Sequence, residues 1–507
     1  MELHPIIEKF IKKRGFEVKD LIKYSKEDLP NPEFIPNIGK FKEVLESAER
    51  WNSRICVYGD SDFDGVSSST IYYETFQELG LNVDCMISTR QRDGYGLSKA
   101  AIDKIDRQGH SLIITTDCGI TQDEEIQYAE SKGIEVFVLD HHNRSDNPSF
   151  NYIDLKVNQG FFPTKELSAG GLAYFISKYL IGYKADKFLD LAGFSTIADL
   201  VDLTNKTNRI LAIEGMRNVQ NEGLKALIMI KGLDPDDLNE SDIGYSIAPC
   251  INAVGRLKDN YLSFKMLTTE DRDERFKLAK RVNKINEIRK TKTEKVVKEV
   301  EENVDLSSNI IVHQANIEKG LTGLVAGKLM NKYGKPAVII NSEGKGSGRS
   351  LEPFNFQEEL QNHLDIIDYA AGHSKAFGIG LDPKYVDELR IRLSEITKDI
   401  EYQTIDYDIE LKPTEVNDQL LKSMDKIRPF GMGFQEPKFA YPREEISNVK
   451  HLSGGKHVKF RWFDTEAIWF NSSEEEIYKN DRLVYTPGYN TFMGRTNIQL
   501  MIKGGLQ

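Results

Sequence analysis

The chain has 507 residues, 39% of them hydrophobic and 29% charged, with a formal net charge of −12 at pH 7. That length exceeds one hydrophobic core and predicts two to four domains of ordinary globular composition. The acidic balance argues against a general polybasic nucleic-acid coat but leaves room for a local basic groove. Cys56, Cys85, Cys118 and Cys250 form no CxxC pair, which argues against a zinc knuckle or disulfide framework and fits a reducing, cytoplasmic setting. The N-terminal MELHPIIEKFIKKRGF is too charged for a signal peptide, and no apolar run of about 18 residues offers a membrane span.

PIIEKFIKK (5–13) and FKEVLESAERWN (41–52) carry apolar residues at helical spacing. From RICVY (54–58) onward, strand and helix alternate. VSSSTIYYETFQELG is followed by LNVDCMIS, LSKAAIDKIDRQG, SLIITTD, DEEIQYAESKG and IEVFVLD. Short apolar strands separated by helices predict a doubly wound parallel sheet. AGGLAYFISKYLIG and FLDLAGFSTIADLV read as buried helices, and the charged stretch 270–303 as a long bridging helix. A second α/β pattern follows: NIIVHQ, LTGLVAGKLMNKYG, PAVIIN, GKGSGRS and YAAGHSKAFGIGL. From about 404 the pattern is all-β (DYDIEL, KFAYP, HVKFRWF, AIWF, RLVYTPGY, NIQLMIK), which predicts a small barrel. The expected domains are 1–225 with the N-terminal helices, 226–303 as connector, 304–400, and 401–507.

Sites in parallel sheets lie beyond the C-terminal strand ends. Each such end here carries carboxylate or imidazole: Asp60, Asp62 and Asp64 in GDSDFDG, Asp117 in TTDCG, and Asp140, His141 and His142 in VLDHH. Asp199, which ends STIAD, is grouped with them. Any one motif reads as a solvated turn or a cap. GDSDFDG also resembles the start of an EF-hand, but Ile71 stands where the bidentate glutamate would be. Together at successive strand ends, the motifs point to hard divalent cations such as Mn²⁺ or Mg²⁺ rather than a thiolate zinc site. Two cations about 3.5–4 Å apart would suit attack on phosphorus, with Asp117 as the bridging carboxylate. Gly65 is expected to let the chain turn sharply into a helix whose N-terminus faces phosphate.

GDSDFDG, TTDCG, LDHH and TIADLVDL, in this order, resemble the four motifs of the DHH phosphoesterase superfamily. The resemblance extends to its RecJ family through RQRDGYGLS (90–98), IAPCINAVGRL (247–257), GLTGLVAGKL, GSGRS, AGHSKAFG and PFGMGFQEPKF (429–439) followed by HVKF. It implies a DHH domain, a long connecting helix, an α/β DHH-associated domain and a C-terminal OB-like barrel. It also implies a 5′→3′ exonuclease that releases mononucleotides from single-stranded DNA with Mn²⁺ or Mg²⁺, in repair and recombination. Partners on this reading are single-stranded DNA, a single-strand-binding protein and a helicase, with no membrane, for a monomeric enzyme.

Carried over by motif, Asp62, Asp64, Asp117, His141 and Asp199 would be the main metal ligands, with Asp60 at a position that varies across the superfamily. His142 would touch the scissile phosphate, and Asp140 would orient the histidines. Arg349 and His373 are the candidates for gripping the 5′-terminal phosphate, with Lys345 and Ser347 in a glycine-rich turn whose N–H groups form an anion nest. Arg256 and Arg90 are candidate backbone contacts, and RKTKTEK (289–295) is either a channel lining or a solvated helix face. Lys459 and Arg461 alternate with Phe460 and Trp462 along one strand, which suits single-strand binding unless the aromatic pair is core. The chain departs from the usual family pattern at Ala371, Phe377, Cys250 and Phe434, where GGH, Ala, Arg and Asn are expected. The alternatives are a DHH phosphodiesterase for oligoribonucleotides or phosphonucleotides, and a non-catalytic replication scaffold.

Overall fold

The computed structural model describes residues 3–22, 24–89, 96–258, 260–402, 405–492 and 495–506. Two compact units emerge: residues 24–290 with 429–435, and residues 1–23, 291–428 and 436–507. The helix Arg272–Asn303 carries the chain from one to the other.

The first unit is built on a parallel sheet of β1 (Ile55–Gly59), β2 (Val83–Ile87), β3 (Leu112–Thr116), β4 (Glu135–Leu139) and β5 (Asn151–Ile153), in the order β2-β1-β3-β4-β5. The side-chain period of two sends Ile55, Val57, Leu112, Ile114, Phe137 and Leu139 into one hydrophobic layer. Cys56, Tyr58, Ile113, Val136 and Val138 enter a second layer on the other face. This is the doubly wound architecture, with both faces covered. Gly59 pairs with Thr116, Thr116 with Leu139, and Leu139 with Ile153. The residues that follow leave the sheet side by side. Asp60 N–H donates to Thr116 (3.4 Å), Asp117 N–H to Leu139 (3.2 Å) and Asp140 N–H to Ile153 (3.0 Å).

The second unit holds two sheets. In one, β6 (Ile311–Gln314), β7 (Ala337–Ile340), β8 (Lys345–Arg349), β9 (Tyr369–His373) and β10 (Ala376–Gly380) run in the order β6-β7-β8-β10-β9. Only β6 and β7 pair in parallel. The other has seven strands: β11 (Ile409–Glu410), β12 (Phe439–Pro442), β13 (Ile446–Leu452), β14 (His457–Trp462), β15 (Thr465–Phe470), β16 (Arg482–Phe492) and β17 (Arg495–Leu506). β13 escapes a sequence reading because its pattern does not alternate, a bulge interrupting it between Ser447 and Lys450.

Three expectations change here. GKGSGRS is neither a turn nor a nest: it is strand β8, its backbone paired with β7 and β10. Its glycines serve close packing. A Cβ on Gly348 would meet the Phe377 ring at 1.9 Å, and one on Gly346 the Ile339 carbonyl at 2.5 Å. Phe460 and Trp462 are core, each at most 1% exposed, so neither is open for base stacking. The helix Pro5–Lys13, expected with the first domain, packs instead on residues 408–423. His4 N–H donates to Ser423 (2.9 Å) and Arg14 pairs with Asp408 (2.7 Å).

Candidate metal centre

The loop after β1 is held from three sides. Asp62 caps the helix Phe63–Glu78, its Oδ1 accepting the N–H groups of Asp64 (3.1 Å) and Gly65 (3.2 Å). Gly65 lies within that helix at ordinary helical φ; glycine is needed because a Cβ would meet the Asp60 carbonyl oxygen at 2.4 Å. Its role is close approach, not the sharp turn expected. Behind the loop, Asn252 Oδ1 accepts from Phe63 N–H (2.7 Å) and Asn260 donates to Ser61 O (2.5 Å). A Cβ on Gly255 would lie 2.1 Å from that same oxygen. The NAVGRL stretch is thus a brace for the acidic loop.

Asp64 is buried and accepts N–H bonds from Ala169 and Gly170, each 2.7 Å, at the start of the helix Ala169–Ile181; the Ser195 hydroxyl also donates to it. Even so, burial, helped by the charge of Asp62, pushes its carboxyl up to about 6. Asp60 accepts from the Ser88 hydroxyl at 2.9 Å. Asp117 takes a left-handed conformation (φ 60°), followed by Gly119 at φ 114°. Asp199 is the C-cap of the helix Leu189–Ala198 rather than the end of a strand. It nonetheless approaches the cluster, its carboxylate 3.8 Å from His141 Nδ1. His141 Nε2 lies 3.1 Å from Asp117 and 3.6 Å from Asp64.

Asp140 organises the imidazoles. It accepts from the N–H groups of His141 (2.7 Å) and Ile120 (3.0 Å) and bonds His142 Nδ1 at 2.7 Å. Burial alone would raise Asp140, but His142 holds it below its usual range. Conversely, burial would lower His142, and Asp140 raises it to about 9. Burial, then the charge of His142, lowers His141 to about 3, leaving it a neutral imidazole with one ring-nitrogen lone pair for a cation.

Three overlapping sets of donor atoms result, each within 4.8 Å, and two of them suit a pair of cations: Asp60, Asp62 and Asp117 in one, Asp64, His141 and Asp199 in the other; the third joins Asp117 and His141 to Asp140 and His142. Asp117 also contacts His141 and so joins the first two sets. Burial, then Asp62, Asp64, Asp60 and Asp199, pushes the Asp117 carboxyl well above the usual range; burial, then Asp64 and Asp62, does the same to Asp199. A cluster that resists ionisation through mutual repulsion is what divalent cations relieve. The donors are oxygen with one imidazole and no thiolate, a set that fits Mn²⁺ or Mg²⁺.

The remaining candidates lie apart from this set. Arg349 is half-buried; its guanidinium donates to Gly348 O (2.8 Å) and lies where a Cβ on Gly323 would meet it at 2.9 Å. Among the described residues no carboxylate pairs with it, and burial lowers its pKa. Ser347 Oγ bonds Thr322 Oγ1 (2.9 Å), and Lys345 covers the Tyr369 ring at 5.0 Å. Arg256 is half-buried in the last turn of the helix Ala248–Leu257. Lys459 pairs with Glu466 (3.0 Å), and exposed Arg461 donates to Asp464 O (2.7 Å). In RKTKTEK, Arg289 bonds Asn286, Lys290 pairs with Glu287 and Lys292 with Glu318, as on a solvated, ion-paired helix face. Arg90 and the His373 side chain lie outside the described residues. Three of the four departures are packed into the fold, and Ala371 is exposed on β9. Phe377 packs against Phe356 with the rings tilted (4.4 Å), Phe434 lies under the Arg209 guanidinium (5.0 Å), and buried Cys250 accepts from Asn286 (3.2 Å).

Ser88, Ala169, Gly170, Ser195 and Asn260 support the site but escape a motif reading, and Asn252 lies in a motif whose bracing role the motif does not reveal. The available signal was the small-residue run SAGG opening an apolar helix.

Residues 54–201 match the model of the DHH family N-terminal domain, and residues 407–504 that of the RecJ OB domain. The single-stranded-DNA-specific exonuclease RecJ of Bacillus subtilis is 31% identical, over 99% of this chain and 68% of that protein. Its Escherichia coli counterpart is 26% identical over 99% and 96%. RecJ of Thermus thermophilus, solved in complex with Mn²⁺, shares the fold at a TM-score of 0.82 and 22% identity, over 99% of this chain and 78% of that one. A manganese-bound exonuclease RecJ gives a TM-score of 0.63 at 26% identity, over 73% and 96%. By its full-length match to the Bacillus relative, the chain belongs to the RecJ family.

Proposed function

We propose that the chain is a 5′→3′ exonuclease that hydrolyses single-stranded DNA to mononucleotides with two divalent cations, Mn²⁺ or Mg²⁺. The observation that carries this reading is the pair of donor sets joined through Asp117 at the ends of β1, β3 and β4. Asp60, Asp62 and Asp117 would hold one cation and Asp64, His141 and Asp199 the other, with Asp117, which contacts His141, as the group shared between them. The chemistry supplied by the bound pair is charge neutralisation at phosphorus and activation of water. His142, tied through Nδ1 to Asp140, has a side chain 41% exposed against 9% for His141, which suits contact with the scissile phosphate. Asp140 fixes the His142 ring and the His141 backbone.

Arg349, half-buried without a carboxylate partner among the described residues, suits a terminal phosphate, with His373 of AGHSKAFG as the second candidate. Lys345 and Ser347 share its strand and face. Arg256, Arg90, Lys459 and Arg461 are assigned to the DNA backbone. Four free cysteines suit a reducing cytoplasm. Work there as a monomer, beside a single-strand-binding protein and a helicase in repair and recombination, completes the proposal. Among the described residues no helix is long and apolar enough to cross a membrane.

The test uses 5′- and 3′-labelled single strands, duplex and RNA with Mn²⁺. Asp117→Asn, which keeps a side chain tolerant of left-handed φ, should retain the fold and lose at least ~10⁴-fold in activity, about 5 kcal/mol of barrier. Unchanged cleavage by that variant sinks the metal reading; cleavage confined to di- and trinucleotides favours the oligonucleotide phosphodiesterase.

A further inference from the structure

The row of strand-end aspartates has a fourth member. Ile153 pairs with Leu139, so Asp154 leaves β5 beside Asp140 just as Asp140 leaves β4 beside Asp117. Asp154 is 1% exposed and belongs to neither donor set. Its Oδ1 accepts the N–H groups of Lys156 (2.8 Å) and Val157 (3.3 Å), and its backbone carbonyl accepts from Asn158 N–H (2.9 Å). Its Oδ2 is buried with no hydrogen-bond partner among the described residues. A buried carboxylate here has one visible consequence: it folds 154–158 into a tight turn.

That turn carries Lys156. The side chain of Lys156 is 20% exposed, and its Nζ lies 3.6 Å from Glu166. Glu166 immediately precedes Leu167, whose backbone hydrogen-bonds His141, and Ser168, which caps the helix whose first N–H groups hold Asp64. A lysine is thus held at the rim of a cluster otherwise made of carboxylates and imidazoles. Its partner Glu166 is 44% exposed and 3.6 Å away, a loose pair that a phosphate can displace.

We propose that Lys156 is a further substrate-contacting residue: its ammonium meets a non-bridging oxygen of the phosphodiester beside His142, and Asp154 positions it through the turn. The chemistry recognised is a polynucleotide phosphate, and the proposal rests on the nuclease reading above. Lysine serves as a mobile point charge here, able to follow the phosphate as charge develops on it.

The test uses the full chain with Mn²⁺ and a 5′-phosphorylated single-stranded oligonucleotide, comparing Lys156→Met, Lys156→Arg and Asp154→Asn. Lys156→Met should lower kcat/KM at least ~30-fold while Mn²⁺ affinity and Tm stay at the wild-type values, and Lys156→Arg should recover most of the loss. On an Asp117→Asn background, which binds without cutting, Lys156→Met should reduce the slope of log K against log salt by about 0.7, one phosphate contact. Asp154→Asn keeps an oxygen for both N–H groups and should stay within ~3-fold of wild type, because the turn survives. Lys156→Met at wild-type activity, or with an unchanged salt slope, or with Mn²⁺ affinity lost in parallel, overturns the proposal. A wild-type protein that binds Mn²⁺ but leaves single-stranded DNA intact refutes the nuclease reading instead.

Discussion

The two α/β sheets use polar residues in opposite ways. In the parallel sheet of the first unit, β1, β3, β4 and β5 end in register, and each is followed by an aspartate. Parallel pairing brings those ends to one edge, so four carboxylates separated in sequence by up to 94 positions leave the sheet side by side (60 to 154). In the mixed sheet of the second unit, β8 runs antiparallel to both neighbours. Its chemistry is laid out along a face: Lys345, Ser347 and Arg349 alternate with buried Gly346 and Gly348. An edge concentrates charge to the point where cations are needed. A face spaces it, so that one guanidinium stands alone against the helix Lys319–Tyr333.

Substitutions can break that contrast. The largest effect is expected in the mixed sheet, on the buried side of its strands. Phe377 fills the space left by Gly348 and packs on Phe356, so Phe377→Ala should cost about 3–5 kcal/mol in denaturant unfolding although the family usually has alanine there. Gly348→Ala combined with Phe377→Ala should recover part of that loss; no recovery would mean the glycine serves another purpose.

Next in size is the linkage between cations and protons at the edge. Asp64 is raised to about 6, and Asp117 and Asp199 are raised as well, so the folded, metal-free protein binds protons more tightly than the unfolded chain does. The stability these groups contribute is therefore full below about pH 4 and is lost as pH rises through about 6. Mn²⁺ acts in the opposite direction because it needs the ionised forms. Thermal melts should show a Mn²⁺-induced stabilisation of about 2.7 kcal/mol at 100 times Kd near pH 8, shrinking as pH falls through about 6. A Mn²⁺ shift independent of pH would remove these carboxylates from the ligand set.

Gly255→Ala should come third. Its Cβ would lie 2.1 Å from the Ser61 carbonyl, a backbone atom that cannot step aside cheaply. The acidic loop would be displaced, with about 2 kcal/mol lost from stability and a fall in Mn²⁺ affinity by calorimetry. Wild-type Mn²⁺ affinity would show that the brace is dispensable. The smallest effect is expected at Arg349. Arg349→Met should cost about 1.4 kcal/mol, tenfold, in discrimination between 5′-phosphorylated and 5′-hydroxyl strands. Stability should not fall, since a guanidinium without a carboxylate partner is itself costly to bury. Equal losses on both substrates would place the terminal phosphate elsewhere.

The strand–helix alternation, the long helix and the metal motifs are legible because each depends on local pattern: hydrophobic period, caps and acidic loops that break strands. Seven of the eight grouped residues follow strand ends, Asp62 and Asp64 one step on at the start of the helix Phe63–Glu78. Asp199 reaches the same cluster from a helix end. GKGSGRS misleads because glycine-rich composition suits a turn, whereas here the glycines make room for Phe377 and the Ile339 backbone. Those neighbours come from other strands and cannot be read locally. Phe460 and Trp462 alternate with cations, but which face of β14 is buried depends on Tyr485, whose ring lies 5.4 Å from Trp462.

By itself, then, the sequence determined the fold class and the list of titratable groups, since period and motif order are properties of contiguous residues. Only the tertiary structure decided how those groups divide into two donor sets and how Asn252, Gly255 and Asn260 brace the first loop. It alone also decided that Asp154 joins the row without joining either set. Register between parallel strands and contact between distant segments set those relations. Both are fixed by packing, which a linear pattern does not encode.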